Sequence, residues 1–223
     1  GSAMSSTSMR TSKTFVRLLP VILVGVAAGA SAAEPRNNAF TAYAAYRDGG
    51  DFTDVSTGNT IPIEASGAWA VSLDWGIDAG SQLQLFLSRQ SSQVDARQAT
   101  QPAPPAAPLP AKFPIAVTYA HIGGTVYLDK KIGQGVYVSG GIGATLFEPD
   151  LAGLANELRA SGSLALGYQL PLGESLALRF EARGYATLIN SDSALFCSGG
   201  CVISIKGNTL TQGEVMLGLS LRY

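Results

Sequence analysis

The stretch from Gly213 to Tyr223 constrains the fold more than any other. Val215, Leu217, Leu219, Leu221 and Tyr223 alternate there with Glu214, Met216, Gly218, Ser220 and Arg222. Strand side chains alternate with period 2, so one face is wholly apolar while the other carries a glutamate, an arginine and small residues. In a membrane barrel the apolar face meets lipid, the polar face meets the lumen, and a terminal aromatic sits at the water boundary.

The same alternation recurs seven more times. Over about Ala39 to Asp48, Phe40, Ala42, Ala44 and Tyr46 oppose Thr41, Tyr43 and Arg47; over about Ser66 to Ile77, Trp69, Val71, Leu73 and Trp75 oppose Ala68, Ala70, Ser72 and Asp74. Trp69 and Trp75 share one face about 20 Å apart at strand rise, near the spacing of the two interfacial aromatic belts. Tyr168 and Tyr223 join that belt. Further strands are expected from Gln82 to about Asp95, Ile115 to Asp129, Gly135 to Phe147, Arg159 to Leu170 and Leu176 to Ile189. The pattern is weakest around Gly123 and Gly124, where a bulge would change its phase. Connections alternate as well. Short turns follow Ile77, Asp129 and Leu170, while the longer segments 49–65, 96–114, 148–158 and 190–212 lie between them. The expected fold is therefore all-β: an eight-stranded antiparallel up-and-down transmembrane β-barrel with both termini on the periplasmic side.

Residues 1–4 read as a cloning remnant. Residues 5–32 read as a signal peptide: Arg10, Lys13 and Arg17 are basic, Leu18 to Ala30 is apolar, and Ala30-Ser31-Ala32 is a small-residue cleavage site. This leaves 33–223 as the barrel domain. The apolar run is shorter than the ~20 residues a spanning helix needs. A net charge of −1 and no Lys/Arg cluster after the signal argue against nucleic acid.

Together, the signal segment, the eight amphipathic strands, the loop alternation and the final Val215, Leu217, Leu219, Leu221, Tyr223 pattern resemble the small bacterial outer-membrane barrels of the OmpA, OmpX and OmpW type. The resemblance implies an outer-membrane location, with the last strand as assembly signal for the barrel-assembly machinery. Its expected surroundings are outer-membrane lipid and lipopolysaccharide, its expected state a monomer, and its implied roles surface interaction or envelope integrity. The OmpW likeness implies a narrow conduit for small or amphipathic solutes instead. A soluble lipocalin-like barrel is the competing fold, but it would put Arg47, Asp74, Arg179 and Glu181 outside and a belt of Trp and Leu within.

By the alternation, Arg47, Asp74, Arg159, Arg179, Glu181, Arg183, Glu214 and Arg222 point inward. An eight-stranded barrel is only wide enough for side chains to fill, so these charges form either a salt-bridged plug or, with five arginines against three acids, an anion-leaning pore. Lipid A deacylases of this architecture carry a pattern like H-x-S-N. The sole histidine, His121, is followed by Ile122-Gly123-Gly124, so a structural role is expected and no enzyme. No metal-ligand cluster, phosphate loop or cofactor signature is present in the sequence. Cys197 and Cys201 enclose Ser198-Gly199-Gly200 in the last long loop, and an oxidising periplasm favours a disulfide there. Their β-prone flanks suggest a stapled hairpin whose edges could take an extracellular partner. The segment 101–114 is proline-rich and expected to be extended. Asp150 to Leu158 is expected to form one or two helical turns.

Overall fold

The structure, a computed structural model, describes residues 36–54, 57–99, 108–189, 194–195, 203–206 and 209–223. The signal-peptide reading and the Cys197–Cys201 reading lie outside these residues. The chain forms β1 (Ala39–Arg47), β2 (Asp51–Asp54), β3 (Thr60–Pro62), β4 (Ser66–Gly76), β5 (Ser81–Asp95), β6 (Lys112–Tyr127), β7 (Gly135–Pro149), β8 (Glu157–Pro171), β9 (Leu176–Leu188), β10 (Ala194–Leu195), β11 (Ile203–Lys206) and β12 (Thr209–Arg222). Eight of them close an antiparallel barrel in the order β1-β12-β9-β8-β7-β6-β5-β4. Closure pairs the first strand with the last, Ala39 opposite Arg222 through Arg47 opposite Glu214. No sheet edge is left in the wall, which is what a bilayer demands of a strand-built span.

The three short turns and the start and end of the barrel lie at one end, here the turn end; the long connections lie at the other, the loop end. In the first turn the Gly80 N–H donates to Asp78 Oδ1 at 2.8 Å. That backbone bond holds the Asp78 carboxyl below its usual range.

The alternation places the apolar set outside. Trp69, Tyr168 and Tyr223 are 46%, 48% and 43% exposed, and Leu164, Leu166, Val215 and Leu217 are exposed with them. Trp75 is half-buried on the same face. Polar and aromatic residues fill the inside: Thr41, Asp74, Gln84, Ser88, Tyr119 and Arg179 are all buried.

Three local expectations are corrected. No bulge interrupts β6, because its register with β5 runs unbroken from Ser81 opposite Val126 to Asp95 opposite Lys112. Gly123 is instead required by close approach: a Cβ there would collide with the Gly140 carbonyl oxygen and Gly141 Cα. Residues 151–153 form turns, with Leu154 N–H donating to the Leu151 carbonyl at 3.2 Å, and β8 begins at Glu157, so no helix forms between Asp150 and Leu158. The barrel wall begins before the end of the segment expected to be a proline-rich connection, since Lys112 already opens β6 and Pro114 lies inside it.

The loop end carries further strands: β10 and β11 fall in the β-prone flanks expected around Cys197 and Cys201, while β2 and β3 were too short for periodicity to announce. β2 and β3 pair as a hairpin, β11 pairs β2, and β10 pairs β11, making a four-stranded sheet. An Ile63–Val94 bridge and the Glu64 N–H to Gln93 carbonyl bond (2.9 Å) tie its β3 end to the barrel. Beneath it, Phe52, Ile61, Ile63, Phe113, Phe147 and Leu210 are buried in one apolar cluster, with Phe52 and Phe147 edge to face at 5.9 Å.

Inside the wall two aromatic rings lie directly on cross-strand glycines. Tyr137 opposes Gly167 and Tyr43 opposes Gly218, and a Cβ at either glycine would strike the ring. Overpacking of this kind costs about 1–3 kcal/mol. Gly167→Val and Gly218→Val should therefore each lower the urea midpoint of the refolded barrel, with a larger loss than Gly184→Val, whose Cβ would meet only the Leu164 carbonyl oxygen at 4.0 Å.

Candidate functional site

The lumen is where the chain concentrates its charge. Asp74 on β4 and Arg179, Glu181 and Arg183 on β9 form one cluster toward the turn end. Arg179 Nη1 lies 3.1 Å from Asp74 Oδ2, Arg179 Nη2 lies 3.9 Å from Glu181, and Arg183 Nη2 lies 2.8 Å from Glu181 Oε1. The inward period of 2 along β9 supplies three of these four groups in succession. A second pair sits nearer the loop end, where β1 and β12 close the barrel. Arg47 Nε faces Glu214 Oε2 at 3.5 Å, and all six side chains are at most 1% exposed.

Burying an ion outside water costs several kcal/mol unless its charge and its hydrogen bonds are both met. Both are largely met here. Glu214 accepts from Ser88 Oγ at 2.9 Å and from the Tyr185 hydroxyl. Arg47 donates to Ser88 Oγ and to the Val117 carbonyl at 3.2 Å. Arg183 donates to Ser163 Oγ at 2.9 Å and to Gln84 Oε1 at 3.1 Å. Rings complete the solvation: Arg47 lies beside the stacked rings of Tyr119 and Tyr185, 4.8 and 5.2 Å from their centroids, Arg179 lies 4.4 Å from Tyr137, and Arg183 lies 3.9 Å from Phe86.

Two expected members of this network lie elsewhere. Arg159 pairs with Glu157 at 3.2 Å on the loop-end rim, and Arg222 donates to the Arg36 carbonyl at the turn end. Strand alternation sets the face but not the height, so both rim groups read as lumenal. Once they are removed, three arginines balance three acids, and the interior carries no anion-leaning excess.

Both ends of this polar column are closed. At the turn end Tyr127, Ile132 and Tyr137 pack together, with the Tyr127 hydroxyl donating to Gln169 Oε1 at 2.5 Å. At the loop end the apolar cluster beneath β2 and β3 covers Tyr119, whose hydroxyl donates to Gln212 Oε1 at 2.6 Å.

His121 has serine neighbours that its own strand does not provide. Its Nδ1 lies 2.9 Å from Ser163 Oγ and its Nε2 lies 2.9 Å from Ser161 Oγ, both on β8. The intervening strand makes this reach available. His121 opposes Gly143 on β7, and Gly143 opposes Ser161, so the imidazole passes over a position without a side chain. The readable signal was the inward Gly141 and Gly143 beside the inward Ser161 and Ser163. Ser163 also accepts from Arg183, and among the described residues no carboxylate bonds the imidazole to serve as the orienting acid of a nucleophile–base–acid relay. Among the described residues no group of three or more His, Cys, Asp or Glu could hold a metal ion.

The Arg47–Glu214 pair yields a direct test. Arg47→Met leaves Glu214 buried and unpaired, and should destabilise the refolded barrel by about 3–5 kcal/mol. Arg47→Met combined with Glu214→Leu should recover most of that loss in the same urea titration.

No protein-family model matches the chain, and no curated protein sequence does. Among solved structures it is similar to Neisserial surface protein A, with a TM-score of 0.54 at 13% identity over 84% of this chain and 97% of that one. It is also similar to the outer membrane protein AlkL in lipid bilayers, with a TM-score of 0.53 at 12% identity over 89% of this chain and 96% of that one. At such identities the likeness is one of fold: the chain is an eight-stranded antiparallel barrel, the fold it shares with those two outer-membrane proteins.

Proposed function

We propose that this chain resides in a bacterial outer membrane with both termini periplasmic, and that it serves surface interaction or envelope integrity through its loop end rather than transport through its lumen. The observation that carries this reading is the filled interior: three arginines neutralised by three acids, closed below by Tyr127 and Tyr137 and above by the Phe52–Phe147 cluster. A solute would have to break ion pairs whose side chains are at most 1% exposed. The loop end, in contrast, is built up beyond what closure of the barrel needs. Its four-stranded sheet stands on an apolar base of its own, the arrangement of a surface held in shape for contact.

Single-channel recording of the refolded chain in planar bilayers tests the reading. The wild-type barrel should be silent. Steady openings whose ion selectivity changes in Arg183→Ala would overturn the plug and put the narrow-conduit function in its place.

The His121 set is assigned a packing role. His121→Ala should leave the lipid A of the host membrane unchanged in mass spectra, while a change in its acylation would make the lumen a reaction site.

A further inference from the structure

The barrel wall changes character toward the loop end. Outward residues of β5 pass there from Leu83, Leu85 and Leu87 to Arg89, Ser91 and Gln93, the step from hydrocarbon to the polar boundary of the leaflet on that side. Below the step, β4 to β7 form a groove of about 440 Å³ walled by Leu73, Leu85, Leu87, Ile122 and Ile142 and floored by Ala120. Above it, β5 to β7 form a hollow of about 380 Å³ whose lining includes Arg89, Ser91, Ala116, Glu148 and Asp150. The register stacks the two, because Leu87 opposes Ala120 and the next outward pair toward the loop end is Arg89 opposite Thr118. An amphiphile lying against this face would meet a place for its tail and a place for its head.

The hollow holds one cation and two carboxylates. Arg89 Nη1 donates to Thr118 Oγ1 at 2.8 Å and to Glu148 Oε2, and among the described residues both bonds of this guanidinium run from that one nitrogen. Nε and Nη2 thus remain as a fork suited to two oxygens of a phosphate, on a side chain 36% exposed. Asp150 is held through its backbone, its N–H donating to the Pro114 carbonyl at 2.9 Å. A carboxylate accepts from hydroxyls and repels a bare anion. The ligand that suits all three groups therefore brings a phosphate for Arg89 and sugar hydroxyls for Glu148 and Asp150. A phosphate ester without such donors would meet two acids with nothing to give them.

We infer that this face binds one lipid A, the acylated phosphosugar anchor of lipopolysaccharide, with an acyl chain in the groove, a phosphate on the Arg89 fork and glucosamine hydroxyls donating to Glu148 and Asp150. The inference rests on the proposed outer-membrane location, which sets the loop end in the lipopolysaccharide leaflet, and it gives the envelope-integrity role a lipid and a site. Ala120 matters because it keeps the groove open, and Thr118 and Glu148 because they hold the guanidinium that fixes the head above it.

The full chain, refolded in detergent and offered equal amounts of lipid A, dephosphorylated lipid A and phosphatidylglycerol, tests this by native mass spectrometry, with EDTA present to remove bridging cations. The wild-type barrel should retain a single lipid A about tenfold over either competitor, the ratio that one charge-assisted contact supplies. Arg89→Gln should erase the preference over dephosphorylated lipid A. Asp150→Ala and Ala120→Phe should each weaken lipid A retention, and Ala186→Phe, equally lipid-facing but on β9, should leave it unchanged. Equal retention of the three lipids, tighter lipid A retention in Asp150→Ala, or loss of the preference in Ala186→Phe would each overturn the site. Arg89→Gln changes only an outward rim group, so its result stands whether or not Ala120→Phe folds. Because the mixture is made in vitro, these outcomes judge the site by itself, whereas recovery of the chain in inner-membrane fractions of its host would overturn the location.

Discussion

An eight-stranded barrel encloses a space that side chains must fill, and in this chain the filling is ionic. That constraint governs the rest of the structure. Three guanidiniums and three carboxylates are placed where water is scarce, and each is tolerated only because partners approach from several strands at once. Glu214 on β12 takes bonds from Ser88 on β5 and Tyr185 on β9, so the pair it forms with Arg47 on β1 is secured from across the lumen as well as from its own seam. Closing the barrel and neutralising its charges are therefore one event. A wall without β1 against β12 would leave Arg47 without its acid.

The glycines follow from the same crowding. Large inward rings and guanidiniums leave no room for a side chain on the facing strand, and Gly167, Gly218 and Gly143 stand where Tyr137, Tyr43 and His121 cross. These positions are small because their neighbours are large. Gly123 answers to a separate pressure, the close approach of the β6 and β7 backbones.

The two ends of the molecule differ in kind. At the turn end short connections do little more than reverse the chain and cover the lumen with Tyr127 and Tyr137. At the loop end β5 to β8 run up to 16 residues against 9 for β1, and the extra length meets the β2–β3 hairpin in an apolar core. The molecule thus has two solvents and two cores: lipid against an apolar wall, ion pairs inside it, and a small water-soluble core above.

Strand number, closure, the lipid-facing set and the inward charges were legible in the sequence, because a period of 2 sustained over ten residues has no other economical reading. Val215 to Tyr223 is enough to show it. Face follows from parity alone. Height and partnership do not, which is why Arg159 and Arg222 read as lumenal although they sit at the rims, and why the serines facing His121 could not be foreseen from Ile122-Gly123-Gly124. Those relations depend on stagger between neighbouring strands, and stagger is set by pairing around the whole barrel. The hairpin of β2 and β3 escaped for a related reason: strands of four and three residues carry too little alternation to be seen, and they are held by the core they cover. The sequence by itself determined what faces lipid and what faces inward; only the tertiary structure decided which inward charges meet, because that meeting depends on register closing over eight strands.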